Sequence, residues 1–219
     1  MTTPSGTDGT RGERPLPPPI YAGVADDDAT VPLQPLVARE LQRVGCVSEY
    51  DARPIDDDTL ALIVAAAAWA PSAANVQPWE IIALRSDDAK ARIGDCLLDS
   101  HLRQNVGGDA RRSWMCSAPL LLVVCLDRTR AKTRYGDIGA DLFGIQDTGA
   151  AIQNMRLVAL ARDIKSCLVR ELDRDRVAEL LNLPSHVRPL IMIAMGYSDV
   201  EARPLPRLPL SDYVHEEGW

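Results

Sequence analysis

Seven apolar residues in a row, Leu120 to Leu126 (LLLVVCL), constrain this chain more than any other stretch. The run is far too short to cross a bilayer and shows no alternation, so it reads as a strand covered by protein on both faces. A chain that covers both faces of a strand must supply helical layers above and below it. Trp79 to Leu84 (WEIIAL) reads in the same way, as a second strand buried on two faces, and Leu190 to Met195 (LIMIAM) as a third.

Helical patterns separate these runs. Leu36 to Val44 has apolar residues at helical spacing and is broken by Gly45. Asp56, Asp57 and Asp58 place carboxylates where helix-start amides need acceptors, and the Ala-rich stretch Leu60 to Ala70 follows, ended by Pro71. Its apolar surface runs almost all round, which predicts a central helix rather than a superficial one. Asp87 to Ser100 is helical, Asn105 to Asp109 (NVGGD) reads as a mobile loop, and Asp173 to Leu181 gives a short helix before Pro184. Asp141 to Arg162 is apolar at helical spacing over a length that suits the spine of a domain or a dimer interface. The class is therefore α/β or α+β, with helices packed on a small central sheet. Residues 1 to 30, rich in Pro, Gly, Thr and Ser, read as a flexible tail, 31 to 219 as one domain, and 199 to 219 as a proline-rich C-terminal arm.

Several functions are disfavoured. A net charge of -7 repels polyphosphates, so nucleic acid is not an expected partner. No apolar run suits membrane insertion, and the N-terminus lacks the apolar core of a secretory signal. Five cysteines, an odd and widely spaced set, point to reduced thiols in the cytoplasm, with Cys125 a small buried hydrophobe rather than a nucleophile. His101, His186 and His215 are far apart without partners at ligand spacing, so no metal is assigned. There is no Gly-x-Ser-x-Gly elbow and no dinucleotide fingerprint, and no catalytic acid, base or nucleophile set stands out. Chemistry borne by a cofactor fits such a chain, and so does the absence of catalysis.

Ser72 and Asn75 lie on a proline-interrupted loop between a helix and a strand, where ligand contacts commonly arise in such folds. Asn75 can both donate and accept, as the polar edge of a flavin requires; the plain alternative is that the two residues close a turn. The whole segment Ala67 to Trp79, AAWAPSAANVQPW, resembles the Ala-Pro-Ser-x-x-Asn-x-Gln-Pro-Trp element of FMN-dependent nitroreductases. Ser117 to Asp127 is similar to that family's central strand, Gly144 to Leu160 (GIQDTGAAIQNMRLVAL) to its long helix, Leu181 to Ser198 to its late strand, and Arg207 to Trp219 to its C-terminal arm. The resemblance runs in uninterrupted order from about Pro54 to Trp219. It implies a nitroreductase-like fold in an intertwined homodimer, two FMN sites at the subunit interface, and hydride transfer from NAD(P)H through flavin to a small organic substrate. On this resemblance Ser72, Asn75, Gln77 and Ser166 bind the flavin, Arg207 faces its phosphate, and Arg170 lies at the flavin or substrate edge.

Two segments depart from the family pattern. An Arg-x-Ser-x-Arg motif that holds phosphate and ribityl should fall across Val44 to Ser48, yet these residues are Val44, Gly45, Cys46, Val47 and Ser48, and the nearest cation is Arg43, one turn earlier. Each charge-assisted hydrogen bond lost to a phosphate costs about 1.5 to 3 kcal/mol. After the long helix, where relatives read Gly-Leu-Gly-Thr-Cys-Trp-Val-Gly, this chain has Asp163, Lys165 and Arg170 in place of three glycines. The leading expectation is an FMN-dependent oxidoreductase; the alternative is a protein of the same fold that has lost ordinary FMN chemistry and serves as a partner subunit or binds another ligand.

Overall fold

The computed structural model describes residues 37–98, 114–202 and 206–219. The chain divides into two compact units, Gln34–Pro204 and a second made of Met1–Leu33 with Leu205–Trp219. The expected tail at 1–30 and the NVGGD segment lie outside the described residues.

In the larger unit the order is α1 (Val37–Arg43), α2 (Asp57–Ala65), β1 (Trp79–Leu84), α3 (Asp87–Gly94), β2 (Leu120–Asp127), α4 (Arg128–Tyr135), α5 (Gly144–Leu160), β3 (Ile164–Val169), α6 (Arg174–Leu180) and β4 (Val187–Tyr197). The strands form one antiparallel sheet in the order β1-β2-β4-β3, so the class is α+β. Leu120, Leu122 and Val124 of β2 pack with α2 and α5 residues such as Ile63, Ala151 and Met155, while Leu121, Val123 and Cys125 face Ile93, Met115, Leu172 and Val177. Alternate residues of one apolar run thus enter two different cores, which is why the run shows no alternation. Each full burial of such a side chain contributes about 1.5 to 3 kcal/mol. Between Val124 and Cys125 the register with β4 slips opposite Pro189, whose missing N–H is tolerated at a bulge.

Local signals explain the helix starts. Asp56, Ser86, Asp127 and Asp173 each accept a backbone N–H three residues on, capping α2, α3, α4 and α6. A π-helical turn, Gly139–Phe143, leads directly into α5. α5 then lies across α2 and the sheet as the spine of the unit.

Three expectations need correction. The helix from Asp56 is not enclosed: Ile63 is its fully buried residue, it tightens into a 3-10 turn at Ala66–Trp69, and Leu62 and Trp69 stand 41% and 86% exposed. β1 is an edge strand and only half-buried: it has a single neighbour, β2, while Trp79 and Ile81 pack on one core and Ile82 and Leu84 on the other. The cysteines are not all thiols: Cys46 and Cys167 form a disulfide across 121 residues, while Cys96, Cys116 and Cys125 are in no disulfide. Wide spacing in sequence hid that pair, because the fold lays the turn after α1 against β3. Cys125 is the buried hydrophobe expected of it, at 0% exposure.

In the second unit residues 206–219 contain a 3-10 turn, Leu210–Asp212, and a ring contact between His215 and Trp219 with centroids 4.2 Å apart.

Candidate functional site

Ser72, Asn75 and Gln77 come together in one tight loop ahead of β1. Its backbone is unusual: Ala74, Asn75 and Gln77 take φ of 52°, 55° and 48°, a left-handed region that costs a residue with a side chain about 1 to 2 kcal/mol. Such a path persists only if its surroundings impose it. Here Ser72 Oγ accepts the Gln77 N–H at 3.0 Å, the Ser72 carbonyl accepts the Asn75 N–H at 2.8 Å, and Gln77 Nε2 donates to Asn75 Oδ1 at 3.2 Å. The loop is also tied down from outside at both ends. Asp147 on α5 accepts the Ala73 N–H at 3.0 Å, and Arg130 on α4 donates to the Gln77 carbonyl at 2.8 Å while paired with Glu80 and Asp127. Ser72 and Asn75 do close a turn, as the plain alternative held, and the same turn leaves the Asn75 amide exposed.

Ser166 lies elsewhere, on edge strand β3 and 6% exposed. Its Oγ accepts from Arg156 Nε at 3.1 Å, and Arg156 Nη2 donates to the Gly45 carbonyl at 2.6 Å. Arg156 is 9% exposed and has neutral acceptors only, with no carboxylate partner among the described residues. Burial, and then the nearby Arg170 guanidinium, lower its affinity for the proton. The turn after α1 is fastened to β3 by the Val47 N–H on the Ser166 carbonyl and by the Cys46–Cys167 bond, and to β4 by Tyr50, whose hydroxyl donates toward the carbonyls of Val47 and Ala194. Burial pushes the Tyr50 phenol well above its ordinary range, against the opposing pull of Arg156.

The Arg43 guanidinium pairs with Glu40 on its own helix and is exposed. A side chain at position 45 has no room to start, since a Cβ there would stand 2.2 Å from Ala202 Cβ. Lys165 is absorbed into the fold by Glu201 at 2.9 Å, and Asp163 takes a left-handed backbone of the kind that favours glycine, at φ 57°. Arg170 follows β3 and is exposed; Arg207 is exposed in the second unit.

The loop at 72–77 and the patch around Ser166 meet α5 at Asp147 and Arg156. Nine residues separate these two, about two and a half turns and about 14 Å along the axis, so the two groups lie on opposite sides of one helix. Sequence reasoning missed Asp147, Arg130 and Arg156 as site residues. Asp147 was visible only as part of Gln-Asp-Thr, whereas Arg156 had a signal: it sits four residues after Ile152, on the face that α5 turns to the core.

Comparison with known proteins places this architecture. The "NADPH-flavin oxidoreductase" of Vibrio harveyi is 29% identical over 180 residues, covering 79% of this chain and 70% of its own. The "FMN reductase [NAD(P)H]" of Bacillus subtilis is 26% identical over 186 residues, covering 79% and 70%. The crystal structure of a nitroreductase family protein from Streptococcus pneumoniae superposes with a TM-score of 0.71 at 18% identity, covering 83% of this chain and all of that one, which speaks for the fold. The family model of the nitroreductases matches residues 45–197, a span that takes in the clamped loop, the whole sheet and the helix carrying both Asp147 and Arg156, and the chain belongs to the nitroreductase family.

Proposed function

We propose that the protein is an FMN-dependent oxidoreductase of nitroreductase type, which takes a hydride from NAD(P)H and passes electrons to a small organic acceptor. The observation that carries this reading is the loop Ser72 to Gln77, held in a left-handed path by Asp147 and Arg130 so that the amides of Asn75 and Gln77 are presented at a fixed turn. The residues fit the group. The polar edge of a flavin ring asks for paired donors and acceptors, which Asn75 and Gln77 carry, and its phosphate asks for cations. Arg156, a buried guanidinium without a carboxylate partner among the described residues, and the exposed Arg170 bring positive charge to the other half. The names of the Vibrio and Bacillus relatives support the same chemistry.

Bound there, FMN supplies the hydride and electron transfer. This chain's residues bind and orient: Asn75 and Gln77 hold the ring edge, Ser72 keeps the turn closed beneath them, and Ser166 with Arg170 offers polar contacts from β3. Arg207 is assigned to the phosphate. Because the two groups lie on opposite sides of α5, one bound ring would contact both only if a second copy of the chain supplied one of them. The homodimer follows from that need, with the exposed Leu62, Trp69, Leu142 and Ile145 available as apolar surface. Among the described residues no helix is long and apolar enough to cross a membrane. We place the protein in the cytoplasm, where NAD(P)H is supplied.

Asn75→Ala tests the assignment. The expected result is loss of bound flavin absorbance at unchanged oligomeric state and melting temperature; retained flavin would refute the site. A second reading, a family member that binds another ligand, rests on one observation: Ala202 fills the space where a side chain at position 45 would begin.

A further inference from the structure

Arg156 donates one hydrogen bond to the Gly45 carbonyl and one to Ser166 Oγ, and these are the residues immediately before Cys46 and Cys167. The guanidinium and the disulfide therefore bridge the same two segments, from opposite faces of β3. Cys46 is exposed and lies in a turn without regular structure, whereas Cys167 is 8% exposed in β3. The Val47 N–H to Ser166 carbonyl bond and the Tyr50 hydroxyl fasten the same turn without help from sulfur. A disulfide that alone held its segment would release it on reduction. This one is backed by independent fastenings, so it can open and close in place.

We infer that Cys46–Cys167 is a thiol–disulfide exchange site for low-molecular-weight thiols, a function separate from the flavin reading and not dependent on it. Attack falls on Cys46, the accessible sulfur. An incoming thiolate forms a bond to Cys46 Sγ, the bond between Cys46 Sγ and Cys167 Sγ breaks, and the electron pair leaves on Cys167 as a thiolate. A second thiolate attacks the outer sulfur of the mixed disulfide and releases Cys46. Two thiols become one small disulfide, their two protons pass to the protein thiols, and the reverse reaction with the small disulfide reseals the bridge. Cys125 and Cys96 do not compete: Cys125 is buried with its thiol pushed up to about 12, and burial raises Cys96 as well.

The test equilibrates the folded protein in buffers of reduced and oxidised glutathione, used as the probe, and counts thiols by iodoacetamide alkylation and peptide mass spectrometry. The expected result is alkylation at Cys46 and Cys167 that rises and falls with the ratio of reduced to oxidised glutathione set before trapping, with the near-UV circular dichroism of the fold unchanged, and a glutathione retained on Cys46 in Cys167→Ser. Reduction only after denaturation, or alkylation spread equally over Cys96 and Cys125, would overturn the proposal.

Discussion

Asp147 accepts the backbone N–H of Ala73 at 3.0 Å, joining the first turn of the long helix to the most strained loop of the fold. A carboxylate that accepts a buried amide contributes about 1.5 to 3 kcal/mol, and here it also decides where Asn75 points. Asp147→Ala is expected to lower stability by about 2 kcal/mol and weaken FMN binding about tenfold, with Asp147→Asn recovering part of both. Urea unfolding and a fluorescence titration with FMN measure the two effects separately.

The left-handed residues make a second test. Ala74 bears φ 52° with an exposed side chain, so its conformation and not its contacts sets the cost of substitution. Ala74→Gly should leave stability equal or raise it by up to about 1 kcal/mol, and Ala74→Val should lower it by about 2 kcal/mol, read as shifts in the urea midpoint.

Gly45 and Ala202 compete for one space. A Cβ at position 45 would meet Ala202 Cβ at 2.2 Å, so Gly45→Ala should cost about 1 to 3 kcal/mol in thermal or urea unfolding. Adding Ala202→Gly should restore most of the loss. A strictly additive double mutant would show that the two side chains do not collide.

Alkaline pH should expose the buried thiol. Cys125 is raised from its ordinary 9.0 to about 12, by burial first and then by the Glu80 carboxylate. The fold thus favours the protonated thiol, and that stability is complete below about pH 9. It is lost as pH rises from 9 towards 12, at about 1.4 kcal/mol per pH unit, because the unfolded chain releases its proton first. Cys125→Ala should flatten this slope in unfolding curves taken across that range, whatever its effect at neutral pH.

Much of the fold was legible. β1, β2 and the core of β4 followed from apolar runs, α2 from the carboxylates at its start, and α6 as a short helix ahead of Pro184. β3 was not, because Ile164 to Val169 carries Lys165 and Ser166 and is short; its strand character comes from pairing with β4 and from Glu201, which neutralises Lys165. The loop at Ser72 to Gln77 was legible as a site through its side chains, yet its clamp was not. Asp147 and Arg130 reach it from 74 and 53 residues away, and local sequence holds no trace of such contacts. The disulfide was hidden for the same reason, and the odd number of cysteines argued the other way.

The most direct measurement is the visible spectrum of the purified protein mixed with one equivalent of FMN, before and after NADH or NADPH under anaerobic conditions. The expected result is a perturbed flavin spectrum, near one FMN per chain, that bleaches on adding the nicotinamide and returns with an oxidised acceptor. An FMN spectrum identical to that of the free compound, unbleached and lost on gel filtration, would contradict the oxidoreductase reading.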